Sequence, residues 1–251
     1  MTSPLWISHR GLAQNATENT AAAFTAAFEN GFTHCETDLR LTADGHLVLA
    51  HDPHLRRLAG QSLIIHQTSR QELEKIPLPC GHRMLFWDEW ESRFSDHHWT
   101  LDIKRETAPE VIRFLTRWAR DRKKEDWLRQ AVRFVCWSKS HETLLQQHLP
   151  GVVCYARREE CYRAGLASLL GLPFAGGLVA GRVYALSPRL LGIPLFRPSL
   201  IQRYHQRGAG VVAFLPESAE DTEQAISCGC DEILTNHPLP KKHQEPPRKT
   251  E

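Results

Sequence analysis

The residues able to do chemistry in this chain fall into four short runs. His9-Arg10-Gly11 ends the first apolar stretch, HCETDL covers 34–39, His51-Asp52-Pro53 comes after a turn, and LDIK covers 101–104. Side chains alternate faces along a strand, so Glu36 and Asp38 point one way and Cys35 and Thr37 the other. Two carboxylates aimed into one space repel each other, and burying them unpaired forces a proton onto one. A hard divalent cation with oxygen ligands resolves that conflict. In LDIK, Asp102 and Lys104 share a face opposite Leu101 and Ile103. Asp102 is therefore a candidate third metal ligand and Lys104 a candidate anion contact. His34, deeper on the HCETDL strand, reads as a hydrogen-bonded core residue.

The charges suggest the substrate. Glu36, Asp38 and Asp102 with one divalent ion, Arg10 and Lys104 leave a single net positive charge, which suits a phosphodiester. Arginine offers phosphate a forked donor set and lysine a point charge. His9 and His51 carry imidazoles that titrate near neutrality, suited to removing one proton and donating another.

These runs need elements to position them. Short apolar runs predict strands at Leu5–Ser8, His34–Asp38, Trp99–Ile103, Val132–Cys136, Val152–Tyr155, Leu178–Ala180, Val211–Phe214 and Glu232–Thr235. Helical spacing lies between them at Thr20–Asn30, Ala108–Arg120, Lys139–His148 and Glu217–Ser227. Eight strands alternating with helices predict an α/β (β/α)8 barrel, with an open doubly wound sheet as the alternative. All four runs then fall at the C-terminal strand ends, where barrel enzymes place their chemistry. LTADGHLVLAH reads as a small hairpin inserted after strand two, turning at Asp44-Gly45 and carrying His51 back over the barrel mouth. Residues 1–238 are expected to form one domain, and 239–251 (LPKKHQEPPRKTE) a flexible, solvated tail.

Composition narrows the setting. The chain has 251 residues, 41% hydrophobic and 24% charged, as in ordinary globular proteins. A formal net charge of +2 argues against a nucleic-acid partner and leaves a small molecule as the expected one. No apolar run is long enough for stable membrane insertion, and no leader pattern precedes Leu5. Seven cysteines without regular spacing favour a cytoplasmic location. Cys228-Gly-Cys230 reads as core packing beside a turn, since two thiols fall short of a zinc set. Trp87 and Trp90, at helical spacing, read as core, and Trp137 as a candidate pocket wall. The stretch LSPRLLGIPLFRP either packs inside or touches lipid.

The chain resembles the glycerophosphodiester phosphodiesterase family. The matching motifs are HRG, TENTAAAF, ETDLRLTADGHLVLAHDPHLRR, LDIK and DEILTNHP, together running from His9 to Pro238. The resemblance implies hydrolysis of a glycerophosphodiester to sn-glycerol 3-phosphate and an alcohol, by attack of water or of the substrate's own 2-hydroxyl. It implies Mg²⁺ or Ca²⁺ at Glu36, Asp38 and Asp102, His9 and His51 as acid and base in either order, and phosphate held by Arg10 and Lys104. Three positions depart from the family pattern. Asp102 stands where Glu is usual, Asn236 where the closing motif has Asp, and Phe214-Leu215-Pro216 where a Trp is common. Two other readings remain: a phospholipase D- or C-like enzyme acting on lysophospholipid, and a silent phosphodiester-binding barrel.

Overall fold

The computed structural model describes residues 3–240. The strands, in chain order, are β1 (Leu5–His9), β2 (His34–Leu41), β3 (Leu47–Leu49), β4 (His98–Ile103), β5 (Val132–Cys136), β6 (Val153–Cys154), β7 (Val183–Leu186), β8 (Arg189–Leu190), β9 (Ile193–Pro194), β10 (Gly210–Phe214) and β11 (Glu232–Thr235). Eight of these run parallel in the order β6-β5-β4-β2-β1-β11-β10-β7. The ring closes between β6 and β7 through a backbone bond, Ala156 N–H to the Val183 carbonyl at 2.9 Å. The chain folds as the expected (β/α)8 barrel.

Strand alternation sorts the side chains into two cores. Ile7, Tyr155, Val212 and Leu234 point inward and fill the barrel, with Val183 and Ala185 packed against them. Cys35, Trp99, Leu101, Phe134 and Ile233 point outward and meet the helices. The helix Ala108–Arg122 places Val111, Ile112, Leu115 and Trp118 on that buried side. Trp87 and Trp90 lie in this layer, stacked with centroids 4.4 Å apart. His34 is buried in the barrel, its Nε2 3.0 Å from Thr100 Oγ1.

The hairpin after β2 forms as the turn residues dictate. β3 pairs antiparallel with β2, Leu39 opposite Leu49, and Gly45 takes φ 82° in the turn. The insertion as a whole is larger than a hairpin. Its residues up to the helix Trp87–Phe94 build a satellite core of Val48, Leu55, Ile65, Leu73, Ile76 and Phe86.

Two strand expectations need correcting. Leu178–Ala180 is not a strand; it lies in turns around Gly177 and Gly181, both at positive φ. The Val179 N–H donates to Tyr184 Oη at 3.0 Å, and the strand begins at Val183 instead. Val152–Tyr155 shortens to the two residues of β6 because only Arg133 and Phe134 of β5 pair with it. The last helix starts at Ala219 rather than Glu217, capped by the Ser218 hydroxyl accepting from Asp221 N–H. Cys228 and Cys230 pack at the core, as expected. Leu239, placed in the predicted tail, is buried and donates its N–H to Asn30 Oδ1 at 2.8 Å. The rest of the expected tail, beyond residue 240, lies outside the described residues.

Candidate active site

The end of β1 explains why His, Arg and Gly stand together. Arg10 takes φ 56° and Gly11 φ 77°, turning the chain sharply off the strand. A Cβ on Gly11 would sit 2.6 Å from the Ala23 carbonyl carbon, so only glycine lets the turn pack on the helix Ala21–Glu29. The turn aims Arg10 back into the barrel mouth. Its Nε reaches Asp38 Oδ2 at 3.1 Å, and its Nη1 donates to Glu18 Oε1 at 3.1 Å.

Strand register assembles the acidic cluster. Pairing of β1 with β2 sets His9 opposite Glu36, and pairing of β2 with β4 sets Asp38 opposite Asp102. Ligand oxygens of Glu36, Asp38 and Asp102, all buried, lie within 4.8 Å of one another. Lys104 Nζ bridges Asp38 Oδ1 at 2.7 Å and Asp102 Oδ2 at 2.5 Å. Asn19, itself at φ 55°, donates from Nδ2 to Asp38 Oδ2 at 2.8 Å. Trp137 Nε1 donates to Asp102 Oδ1 at 2.6 Å.

The three carboxyls differ in charge state. Burial and then the neighbouring Asp38 and Asp102 push Glu36 well above the usual carboxylate range. Burial also raises Asp102, against the pull of Lys104. Burial opposes ionisation of Asp38 too, but Lys104 and Arg10 outweigh it and hold that group down to about 2. A carboxyl driven to keep its proton by two others beside it marks a cluster short of positive charge. The donor set is all oxygen, buried and convergent, which fits a hard divalent cation.

The two histidines have different surroundings. His9 Nδ1 lies 2.7 Å from Asn236 Oδ1, an acceptor that assigns the proton to Nδ1 and the lone pair to Nε2. Nε2 stands 3.9 Å from Glu36 Oε2. Burial, then Arg10, lowers the ring to about 4, so it is neutral at neutral pH. His51 sits at the open mouth with Nδ1 2.8 Å from Asp52 Oδ1. Arg57 holds Asp52 Oδ2 through Nε at 2.6 Å, and its other nitrogens grip Glu18 at 3.0 and 2.6 Å. His51, Asp52, Arg57, Glu18 and Arg10 thus form one chain of contacts.

All seven residues singled out in the sequence, His9, Arg10, Glu36, Asp38, His51, Asp102 and Lys104, line one cavity of about 410 Å³. Sequence reasoning missed the roles of Asn19, Glu18 and Arg57. TENT and the HLRR after His51-Asp52 were visible as motifs, but neither shows which carboxylate it will meet. Trp137 does line the cavity, and in addition it bonds Asp102. Asn236, noted only as a departure, is the partner of His9.

The model of the glycerophosphoryl diester phosphodiesterase family matches residues 9–239. A glycerophosphodiester phosphodiesterase of Caldanaerobacter subterraneus subsp. tengcongensis is 25% identical over 245 residues, covering 93% of this chain and 94% of that protein. Glycerophosphodiester phosphodiesterase 1 of Rattus norvegicus is 36% identical over 78 residues, covering 31% of this chain and 24% of that protein. Among solved structures, a glycerophosphoryl diester phosphodiesterase domain from Mycobacterium tuberculosis superposes with a TM-score of 0.77 at 16% identity, covering 95% and 97% of the two chains. A glycerophosphodiester phosphodiesterase from Agrobacterium tumefaciens gives 0.72 at 18% identity over 94% and 97%.

Proposed function

The chain belongs to the glycerophosphoryl diester phosphodiesterase family and is an enzyme of that class, and from this we propose that it hydrolyses glycerophosphodiesters to sn-glycerol 3-phosphate and an alcohol with a divalent cation. The observation that carries the reading is the convergence of Glu36, Asp38 and Asp102 beside two imidazoles and two cations in one cavity.

Glu36, Asp38 and Asp102 would hold Mg²⁺ or Ca²⁺, which when bound supplies a positive charge that polarises a phosphoryl oxygen and acidifies a hydroxyl. Arg10 and Lys104 face the same space and hold the phosphodiester's oxygens, Arg10 by its fork and Lys104 as a point charge. His9 is the base, because its Nε2 faces the cavity with the lone pair and the ring stays neutral at working pH. His51 is the acid, because it stands at the mouth, oriented from behind by Asp52, where the alcohol departs. The substrate is a small molecule free in solution. Among the described residues no helix is long and apolar enough to cross a membrane. Seven unpaired thiols fit a reducing cytoplasm.

The test is release of glycerol 3-phosphate from several glycerophosphodiesters, with chelator and with Mg²⁺ or Ca²⁺ restored. Activity lost to chelator and regained with either ion supports the reading. Turnover indifferent to chelator removes the cation, and silence with both ions leaves only a binding barrel.

A further inference from the structure

The helix Arg158–Leu169 is packed inside out. It buries Ala164, Gly165 and Ser168 against the barrel, two small residues and a hydroxyl. Its large apolar side chains face water instead. Tyr162, Leu166 and the C-cap residue Leu170, spaced four apart on one face, are 52%, 56% and 67% exposed. A surface helix normally turns such a stripe to the core. The following turn, Pro173–Gly176, folds back on the helix, its Gly176 carbonyl accepting from Arg163 Nε at 3.0 Å. Leu172 and Phe174 are thereby added, both exposed, to the Leu170 end. Tyr162 lines the cavity, so the stripe begins at the barrel mouth and runs down the outside of the barrel.

Three arginines border it. Arg158 Cζ stands 5.4 Å from the Tyr162 ring centroid, Arg163 holds the turn, and Arg203 donates to the Ser168 carbonyl. Among the described residues none of the three meets a carboxylate; their hydrogen bonds go to Tyr162 Oη and to two backbone carbonyls. The bias is written into the sequence, where residues 161–216 contain six arginines and no Asp or Glu. A partner for this flank is apolar in its body and anionic at its surface. A second copy docked about a two-fold axis would set the arginines against themselves. A protein partner would be read through hydrogen bonds, about one per 100–200 Å² of interface. Apart from Tyr162 and Arg163, the exposed residues between 162 and 181 are Leu, Phe, Val, Ala or Gly and offer no hydrogen-bonding side chain. A bilayer asks for none: acyl chains take the apolar side chains and headgroup phosphates take the arginines.

We propose that this flank is a docking surface for an anionic phospholipid bilayer. Leu166, Leu170, Leu172 and Phe174 enter the boundary between headgroups and acyl chains, and Arg158, Arg163 and Arg203 meet the phosphates. The contact is peripheral and reversible. The lipid is a surface to rest on, and the diester substrate still reaches the cavity from water. Apart from Tyr162 and Arg158 at the rim, the surface lies outside the cavity, so the inference stands independently of the phosphodiesterase reading.

Co-sedimentation of the full chain with vesicles tests it. Vesicles of phosphatidylglycerol and phosphatidylcholine in equal parts are expected to bind about tenfold or more tighter than phosphatidylcholine alone, and raised salt should reverse most of that gain. The triple variant Leu166→Ser, Leu170→Ser, Phe174→Ser is expected to bind the mixed vesicles about tenfold or more weakly, with an unchanged circular dichroism spectrum. Absence of binding to either vesicle, equal binding to both, or undiminished binding by the triple variant overturns the proposal. A dimer on gel filtration that the triple variant abolishes also overturns it, by giving the flank to a second copy.

Discussion

Arg57 donates from Nη2 to Glu18 Oε1 at 2.6 Å and from Nε to Asp52 Oδ2 at 2.6 Å. One guanidinium therefore ties the carboxylate behind His51 to the carboxylate that holds Arg10. The link joins the loop after β1 to the insertion after β3, two segments that the barrel strands do not hydrogen-bond to each other. Burial alone would raise Glu18, but Arg57 and Arg10 outweigh it and keep the group ionised. Arg57→Ala is expected to lower kcat roughly 10- to 100-fold, the range for residues that orient reacting groups, with an unchanged circular dichroism spectrum. Arg57→Lys should recover only part, since one ammonium cannot serve both carboxylates. Full activity in the alanine variant would show that the bridge positions nothing.

The histidines should be separable by their pattern of loss. His9→Ala and His51→Ala are each expected to reduce kcat by about two to four orders of magnitude. A substrate with a more acidic leaving group, such as a nitrophenyl ester, should rescue His51→Ala more than His9→Ala, because it needs less proton donation. Equal rescue of the two would overturn the assignment of base and acid.

Cation binding should weaken in acid. Glu36 keeps its proton above the usual carboxylate range because of burial and its acidic neighbours, and an incoming ion must displace that proton. The concentration of Mg²⁺ or Ca²⁺ that raises Tm should therefore increase as pH falls through the range above the ordinary glutamate value. Glu36→Gln should lose the cation-dependent Tm shift altogether. An undiminished shift in that variant would take Glu36 out of the ligand set.

Stability should also depend on the buried His34. Burial, then Arg133, lowers the folded-state value to about 3 from 6.5. Between those values the unfolded chain binds more protons than the folded one, so stability is full above about 6.5 and declines as pH falls toward 3. Urea titrations of the wild type and His34→Gln at several pH values should show a shallower acid decline in the variant. Parallel pH curves would mean that His34 accounts for none of it.

Gly11→Ala tests the turn that aims Arg10. The added Cβ would meet Ala23 backbone at 2.6 Å in a left-handed conformation, so neither the strand end nor the helix can yield cheaply. A loss of about 2 kcal/mol or more is expected, seen as a lower Tm, with kcat also reduced because Arg10 is displaced. An unaltered Tm would show that the loop has room the geometry denies.

Residue order alone was enough to set the chemistry of each run and the face on which it sits. Alternation placed Glu36 with Asp38 and Asp102 with Lys104, since a strand offers no other choice, and the turn residues Asp44-Gly45 specified the hairpin. His34 and Cys230 could be read as core for the same local reasons. Where chemistry ran from apolar period to charged strand end, the reading needed no tertiary information.

Folding settled which strand end meets which. Register between β1, β2 and β4, a property of pairs of strands distant in sequence, set His9 against Glu36 and Asp38 against Asp102. The contact of Asn236 with His9 spans 227 positions, and that of Arg57 with Glu18 spans 39. Leu178–Ala180 had the apolar content of a strand, yet flanking glycines at positive φ turned it into a loop and moved the strand to Val183. Polarity and periodicity are local, whereas hydrogen-bond partners and charge states depend on what the fold brings within a few ångströms.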